Sequence, residues 1–294
     1  PDLADAVTGG WSAFGTDPLV DVQGHGTAMA GIAAARTGND SGIAGTDYAG
    51  ANLLSVQVLD SWGSGTDSDI IEGVVWAVDH HADVILMSFS NPGYSPALQA
   101  AIDYAWSSGA VLVAATGNGG YSTPMYPAGD AHVMGVAGTD RDDARASSSN
   151  YGADTFIAAP SVSIPALTVD GGTSIVSGTS AAAAEVAGAA ALLRAIDPAA
   201  SNGVIVGRLA RNATPAGDAI ETGNGRLDLE RAVTDVGTEF VDPVGAPSGG
   251  PFVGPFISPY VTAVDSNSAL SARVVGDWTA PLTWSNVRTG NITA

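Results

Sequence analysis

From residue 26 to about 235 the chain alternates short apolar runs with longer stretches of helical period. Strand and helix in turn predict an α/β fold, a mainly parallel sheet with helices on both faces. The predicted strands are 53–58, 83–88, 111–116, 132–137 and 155–159. Over 67–80, Ile70, Ile71, Val74, Val75 and Val78 share one face, with Asp67 and Asp69 placed to favour the positive N-terminal end of a helix. A second amphipathic helix is expected over 97–106. Segments 27–36 and 181–196 are rich in alanine and glycine and nearly uncharged. They predict central helices, because small side chains let backbones approach closely.

After Val236 this rhythm stops. Pro243, Pro247, Pro251, Pro255 and Pro259 recur every four residues among glycines. Proline removes a backbone donor and fixes φ, so 238–259 reads as an extended linker. Residues 260–294 hold Tyr-Val-Thr-Ala-Val and Leu-Thr-Trp-Ser with turn residues between them, which fits the start of a β-sandwich module. The main domain is then 1–237. The chain opens on Pro1 without a leader pattern and ends without a closing turn, so both ends are expected to be cuts in a longer sequence.

Charge and composition remove several function classes. The 294 residues carry ten basic side chains, all arginine, and thirty acidic ones, a net charge of −20. A field of that sign repels phosphate, so no nucleic-acid partner is expected. The acidity fits a salt-adapted surface or an acidic secreted protein. With 45% apolar and 14% charged residues the chain can still fold. It has no cysteine, which excludes disulfides and thiolate nucleophiles. No apolar run reaches the ~18 residues of a membrane span.

Three small clusters carry candidate chemistry. His25 lies in Gly24-His25-Gly26-Thr27-Ala28-Met29-Ala30-Gly31, Asn118 in Ala114-Ala115-Thr116-Gly117-Asn118-Gly119, and Ser180 in Ser177-Gly178-Thr179-Ser180-Ala181-Ala182. A serine hydroxyl becomes a useful nucleophile when an imidazole takes its proton. The oxyanion that follows needs donors, which a carboxamide and a backbone N–H at a helix start can supply. Taken singly, Ser180 would be a helix cap and Asn118 a turn residue. Taken as a set they are not explained that way. An α/β-hydrolase elbow is excluded because Ala182 stands where G-x-S-x-G needs glycine. A P-loop is excluded because there is no lysine. His80 and His81 are adjacent, point apart on a helix and read as a solvated helix end.

These clusters resemble the subtilisin-like serine proteases, the subtilases, with His25 in H-G-T-x-x-A-G, Asn118 in A-A-x-G-N and Ser180 in G-T-S-x-A-x-x-x-V-A-G. Gly42-Ile43-Ala44-Gly45, Val58-Leu59-Asp60, Tyr126-Pro127-Ala128 and Ala158-Ala159-Pro160 fall between them in the family's order. The likeness covers about 1–235 and is nearest the thermitase branch. It implies a serine endopeptidase, secreted or cell-surface, acting on polypeptides and needing no cofactor for catalysis. His25 would be the general base and Ser180 the nucleophile, with Asn118 an oxyanion donor beside the Ser180 N–H. Ser88-Phe89-Ser90 and Gly63-Ser64-Gly65 would hold an extended peptide between them. Thr116, Gly117 and Met125 would line the primary pocket and favour apolar P1 residues. Asn39-Asp40-Ser41-Gly42 resembles a loop that binds structural calcium in relatives.

The likeness breaks at one place. The family's triad aspartate stands in a D-[ST]-G turn, and here none precedes His25; Pro1-Asp2-Leu3 resembles a segment just downstream of that turn. Asp2 and Asp21 stand in the wrong motifs for the role. The chain alone is therefore expected to be nearly inactive and to lack a core strand. Glu185 and Ser90 also depart from the pattern. A pseudoprotease or peptide-binding domain is the competing reading.

Overall fold

The run Val111–Ala115 is apolar at every position and buried at every position, the mark of a strand covered on both faces. Val111, Val113 and Ala115 pack toward one set of helices, Leu112 and Ala114 toward another. The computed structural model describes residues 2–48 and 50–246, together with the backbone of 292–293. In chain order its elements are β1 (Val7–Ser12), α1 (His25–Ala34), β2 (Leu53–Gln57), β3 (Ser64–Gly65), α2 (Asp67–Asp79), β4 (Val84–Met87), α3 (Pro96–Ser107), β5 (Val111–Ala115), β6 (Val133–Thr139), β7 (Ile157–Pro160), β8 (Ile164–Leu167), β9 (Thr173–Val176), α4 (Thr179–Ile196), α5 (Asn202–Asn212), α6 (Ala219–Thr222), α7 (Leu229–Thr234) and β10 (Ile292–Thr293).

The five expected strands and four expected helices are present, with ends that differ by at most two residues. The fold is α/β, with a parallel sheet between helical layers. α1 and α4 begin earlier than expected, so that His25 is the first residue of α1 and Ser180 the second of α4. The small-sided helices do lie centrally. A Cβ on Gly188 of α4 would come within 2.4 Å of the Ala33 carbonyl of α1, so only glycine permits this crossing. By length and composition α4 could cross a membrane, but its burial in this core already accounts for an apolar sequence. On the opposite face α2 is held by a capping box between Thr66 and Asp69. His80, exposed at its C-terminal end, stacks on Trp76 at 3.8 Å, and Nδ1 lies 2.8 Å from the Trp76 carbonyl.

The expected sheet is divided. β4-β5-β6-β7 form one parallel sheet, while among the described residues β2 pairs in parallel only with β1. β1 was not expected, since Val7-Thr-Gly-Gly-Trp-Ser carries two glycines where a strand usually carries branched residues. Between β2 and β4 lies a cavity of about 1520 Å³.

Residues 238–246, expected to open a linker, lie against the main body. Val241 and Ala246 are buried, the His132 N–H donates to the Pro243 carbonyl, and the Ala246 N–H donates to Gly129. His132 Nδ1 is 2.7 Å from Asp242 Oδ1. The rest of the expected linker, 247–259, and the expected module over 260–294 lie outside the described residues, apart from the β10 backbone. Arg145, Arg194, Arg208, Arg211 and Arg226 are all paired with carboxylates.

Candidate active site

α1 presents His25 at its first residue because the loop before it is closed by a carboxylate. Asp21 Oδ1 accepts from the N–H groups of Gln23 and Gly24, and Oδ2 accepts from the Thr27 N–H at 2.8 Å and the Thr27 hydroxyl at 2.7 Å. Burial alone would raise this carboxyl, but the four donors outweigh it and hold the group below its ordinary value. Asp21 is thus committed to capping and makes no hydrogen bond with His25. Asp21→Ala should cost about 0.5–2 kcal/mol, the range for losing a side chain that caps a helix start. Thermal unfolding of the variant checks this, and an unchanged midpoint would remove the capping role.

Ser180 reaches the same place from α4. Its Oγ donates to the Ser88 carbonyl at 3.2 Å, and His25 Nε2 lies 3.1 Å from that same oxygen. Hydroxyl and imidazole therefore converge on the carbonyl just past β4. In this arrangement they do not hydrogen-bond to each other.

Asn118 follows β5. Its Oδ1 accepts from the Thr179 N–H at 2.9 Å and the Thr179 hydroxyl at 3.2 Å, which leaves the Nδ2 end to face outward. A pocket of about 550 Å³ is lined by His25, Asn118, Gly178 and Ser180 together. The Ser180 N–H belongs to the first turn of α4, whose amides have no intrahelical acceptor.

The expected peptide-holding segments are extended. In β3, Ser64 and Gly65 pair antiparallel with Thr293 and Ile292, so this edge accepts a further strand. Gly63 precedes it in a turn where Asp60 Oδ1 accepts from the Trp62 and Ser64 N–H groups. A Cβ on Gly65 would lie 2.2 Å from the Val58 carbonyl. Ser88 and Phe89 are buried and Ser90 is half-buried beyond β4. The Thr116 side chain turns inward, its hydroxyl donating to Val136 and Asn150 carbonyls, so this residue can offer only backbone to a pocket. Gly117 has φ +99° and sits against Asn150. Met125 is buried, its N–H donating to Asp154 at 2.9 Å.

Two contributors were given no role in the sequence reading, although Thr179 stands inside the Ser180 motif. Thr179 orients Asn118, and its hydroxyl also accepts from the Gly117 N–H at 3.1 Å. Asn150, fully buried, accepts from Gly119 and Tyr121 and donates to the Thr116 carbonyl. Both act through hydrogen bonds between segments remote in the chain.

Glu185 lies five residues beyond Ser180, about 140° around the helix, and so points away from the hydroxyl. Enclosure pushes its carboxyl up to about 8, against a lowering influence from Arg226. Asp2 is buried and organises the loop expected to bind calcium. Asn39 Nδ2 and the Ile43 N–H donate to its two oxygens, each at 2.9 Å. Among the described residues no three His, Asp or Glu side chains gather as a metal site.

Residues 2–229 match the family described as the Subtilase family. Among curated proteins, thermitase of Thermoactinomyces vulgaris is 43% identical over 203 residues, covering 69% of this chain and 72% of that one. Subtilisin DY of Bacillus licheniformis is 40% identical over 231 residues, covering 77% and 84%. Among solved structures, a protease of Pseudoalteromonas arctica superimposes with a TM-score of 0.67 at 33% identity, covering 71% of this chain and 70% of that one.

Proposed function

The chain belongs to the subtilase family of serine endopeptidases, and from that premise we propose that His25, Ser180 and Asn118 carry its chemistry. The observation supporting this is their convergence on one pocket, with Asn118 oriented by Thr179 and the Ser180 hydroxyl and His25 ring meeting at the Ser88 carbonyl. Ser180 Oγ attacks the peptide carbonyl while His25 Nε2 takes its proton. The oxyanion is met by Asn118 Nδ2 and the Ser180 N–H. His25 then returns the proton to the leaving amine, and water, deprotonated by the same imidazole, hydrolyses the acyl-enzyme. No cofactor enters these steps. The peptide would lie between β3 and the 88–90 segment. The site of action is outside the cell.

His25 has no carboxylate partner among the described residues, and a triad without one loses about 10⁴-fold in rate. The chain alone is therefore expected to hydrolyse peptides only marginally. That same feature, with the Ser180 hydroxyl donating to Ser88 rather than to His25, favours the second reading, a pseudoprotease that binds peptides. A longer form of the protein treated with a fluorophosphonate separates them. Labelling at Ser180 supports the peptidase, and peptide binding without labelling supports the alternative.

The buried Met125 beside Tyr126 favours apolar residues at P1. Cleavage of peptides varied at P1 should show this preference, and a preference for Lys or Asp would overturn it.

A further inference from the structure

Two buried carboxylates beside the peptide-holding edge lack a cation. Asp67 is the first residue of α2, two positions beyond Gly65, and Asp130 lies two positions beyond Ala128. Asp67 is 8% exposed and Asp130 1%, yet Asp67 Oδ2 and both oxygens of Asp130 have no hydrogen-bond partner. The sequence holds no lysine, and among the described residues the arginines that form ion pairs do so with other carboxylates. Burial, then Asp103 and Asp67, holds the Asp130 carboxyl well above its ordinary value, so the acids act on one another across one space. Burial, then Asp130 and Asp103, likewise pushes the Tyr94 phenol up. Buried acceptors are seldom left unmet in a native fold unless something outside the chain meets them.

The surroundings of the pair suit a long cationic side chain. Ile70, Phe89 and Leu98 belong to one buried cluster with Ala128, and Phe89 lies in the 88–90 segment that faces β3 across the groove. Resting on the peptidase reading above, we propose that Asp67 and Asp130 form a subsite for an arginine or lysine side chain of the substrate, at the fourth residue before the cleaved bond. The apolar stem packs on Ile70, Phe89 and Leu98, and the charged head meets the two carboxylates. The position follows from register. Ile292 pairs with Gly65 and Thr293 with Ser64, antiparallel, so a strand on this edge runs from Gly65 toward Gly63. A substrate bound in that sense sets one residue opposite Gly65, the next two opposite Ser64 and Gly63, and the following one at the hydroxyl. The residue opposite Gly65 is thus the one beside the start of α2, where Asp67 stands. Asp103, whose Oδ1 already accepts from Gln99 at 2.7 Å, adds to the negative field.

The test measures binding of capped peptides of the form X-Ala-Ala-Leu-Ser-Ala to the present chain, with arginine, lysine, norleucine or glutamate at X. The arginine peptide should bind on the order of 10–100-fold more tightly than the norleucine peptide, as expected for charge-assisted hydrogen bonds. The preference should persist in about 0.5 M salt, which screens the field of the surface but not a buried pair. Asp67→Asn and Asp130→Asn should each bring arginine and norleucine to within about threefold, with norleucine binding unchanged as the sign of an intact fold. Equal binding of all four peptides by the unaltered chain, or binding of none, overturns the subsite. A preference that follows arginine to any position of the peptide also overturns it, since the net charge of −20 alone would produce that. Equal binding together with an unfolding midpoint raised by calcium chloride, and not raised in Asp130→Asn, overturns the peptide subsite in favour of a free cation. Fluorophosphonate labelling of a longer form reports the peptidase reading separately. Labelling without arginine preference counts against the subsite alone, and arginine preference without labelling supports the subsite and counts against the peptidase.

Discussion

Replacing Asn118 by leucine should slow acylation of Ser180 about a hundred- to a thousandfold and leave peptide affinity nearly unchanged, the loss measured for the equivalent asparagine of subtilisin itself. The reason lies in how the side chain is held. Thr179 fixes Oδ1 through two donors, so Nδ2 is aimed without further reorganisation at the space beside Ser180. A donor fixed in advance stabilises charge as it develops and contributes little to the neutral ground state. The change should therefore fall on kcat rather than on KM. The measurement is the rate of fluorophosphonate or ester acylation in a form whose His25 has a carboxylate partner. A loss of less than tenfold would show that Nδ2 is not an oxyanion donor. Thr179→Val should reproduce part of the loss by freeing Oδ1 from one of its donors.

Stability should be greatest in mild acid and fall as the solution is made alkaline. Burial raises the carboxyls of Asp154, to about 7, and of Glu185, to about 8, and holds that of Asp130 well above its ordinary value. Their unfolded values lie near 4, so between there and 7–8 the folded state binds protons that the unfolded state has lost. The stabilisation is complete below about 4 and disappears as the pH passes through 7 to 8. Asp21 and Asp235 have lowered carboxyls and work in the opposite sense, losing their contribution only as the pH falls below about 4. For Glu185, from 4.5 to about 8 at 1.36 kcal/mol per pH unit sets a ceiling of about 5 kcal/mol. Residual access to water brings the expected figure to about 2 kcal/mol. Glu185→Gln should then raise the unfolding midpoint at pH 9 by about 4–8 °C and have little effect at pH 5. Equal effects at both would show that the carboxyl is not titrating in this window. The net charge of −20 also disfavours the folded state at high pH, but a single amide barely changes that total, so the variant isolates Glu185.

What could be read ahead of the structure was what depends on local pattern. α2 announces itself because Ile70, Val74 and Val78 recur at helical spacing, and β5 because five apolar residues stand between glycine-bearing turns. α1 and α4 were legible from what they lack, bulk and charge. The missed elements carry residues that local preference reads the other way. β1 contains Gly9 and Gly10; a Cβ on Gly10 would lie 2.6 Å from the Ser55 carbonyl, so the glycine is required by close strand approach. The hairpin of β8 and β9 contains Pro165. α5 contains Gly203 and Gly207, and added methyl groups there would strike Phe240 and the Glu239 carbonyl. A distant segment dictates those glycines. At the site, motif context identified the residues, while the roles of Asp2, Asp21 and Thr179 depended on which backbone amides came near them. The division of the sheet could be read only as a gap between β2 and β4.

Because residues 238–246 are bound to the segment before β6 and to α5 through His132, Val241 and Ala246, the packed body of this polypeptide extends twelve residues past Thr234, where the last described helix ends. A partner fused after 237 would sever that strap and uncover α5 where Phe240 covers Gly203. Fused after 246, it would leave the strap in place.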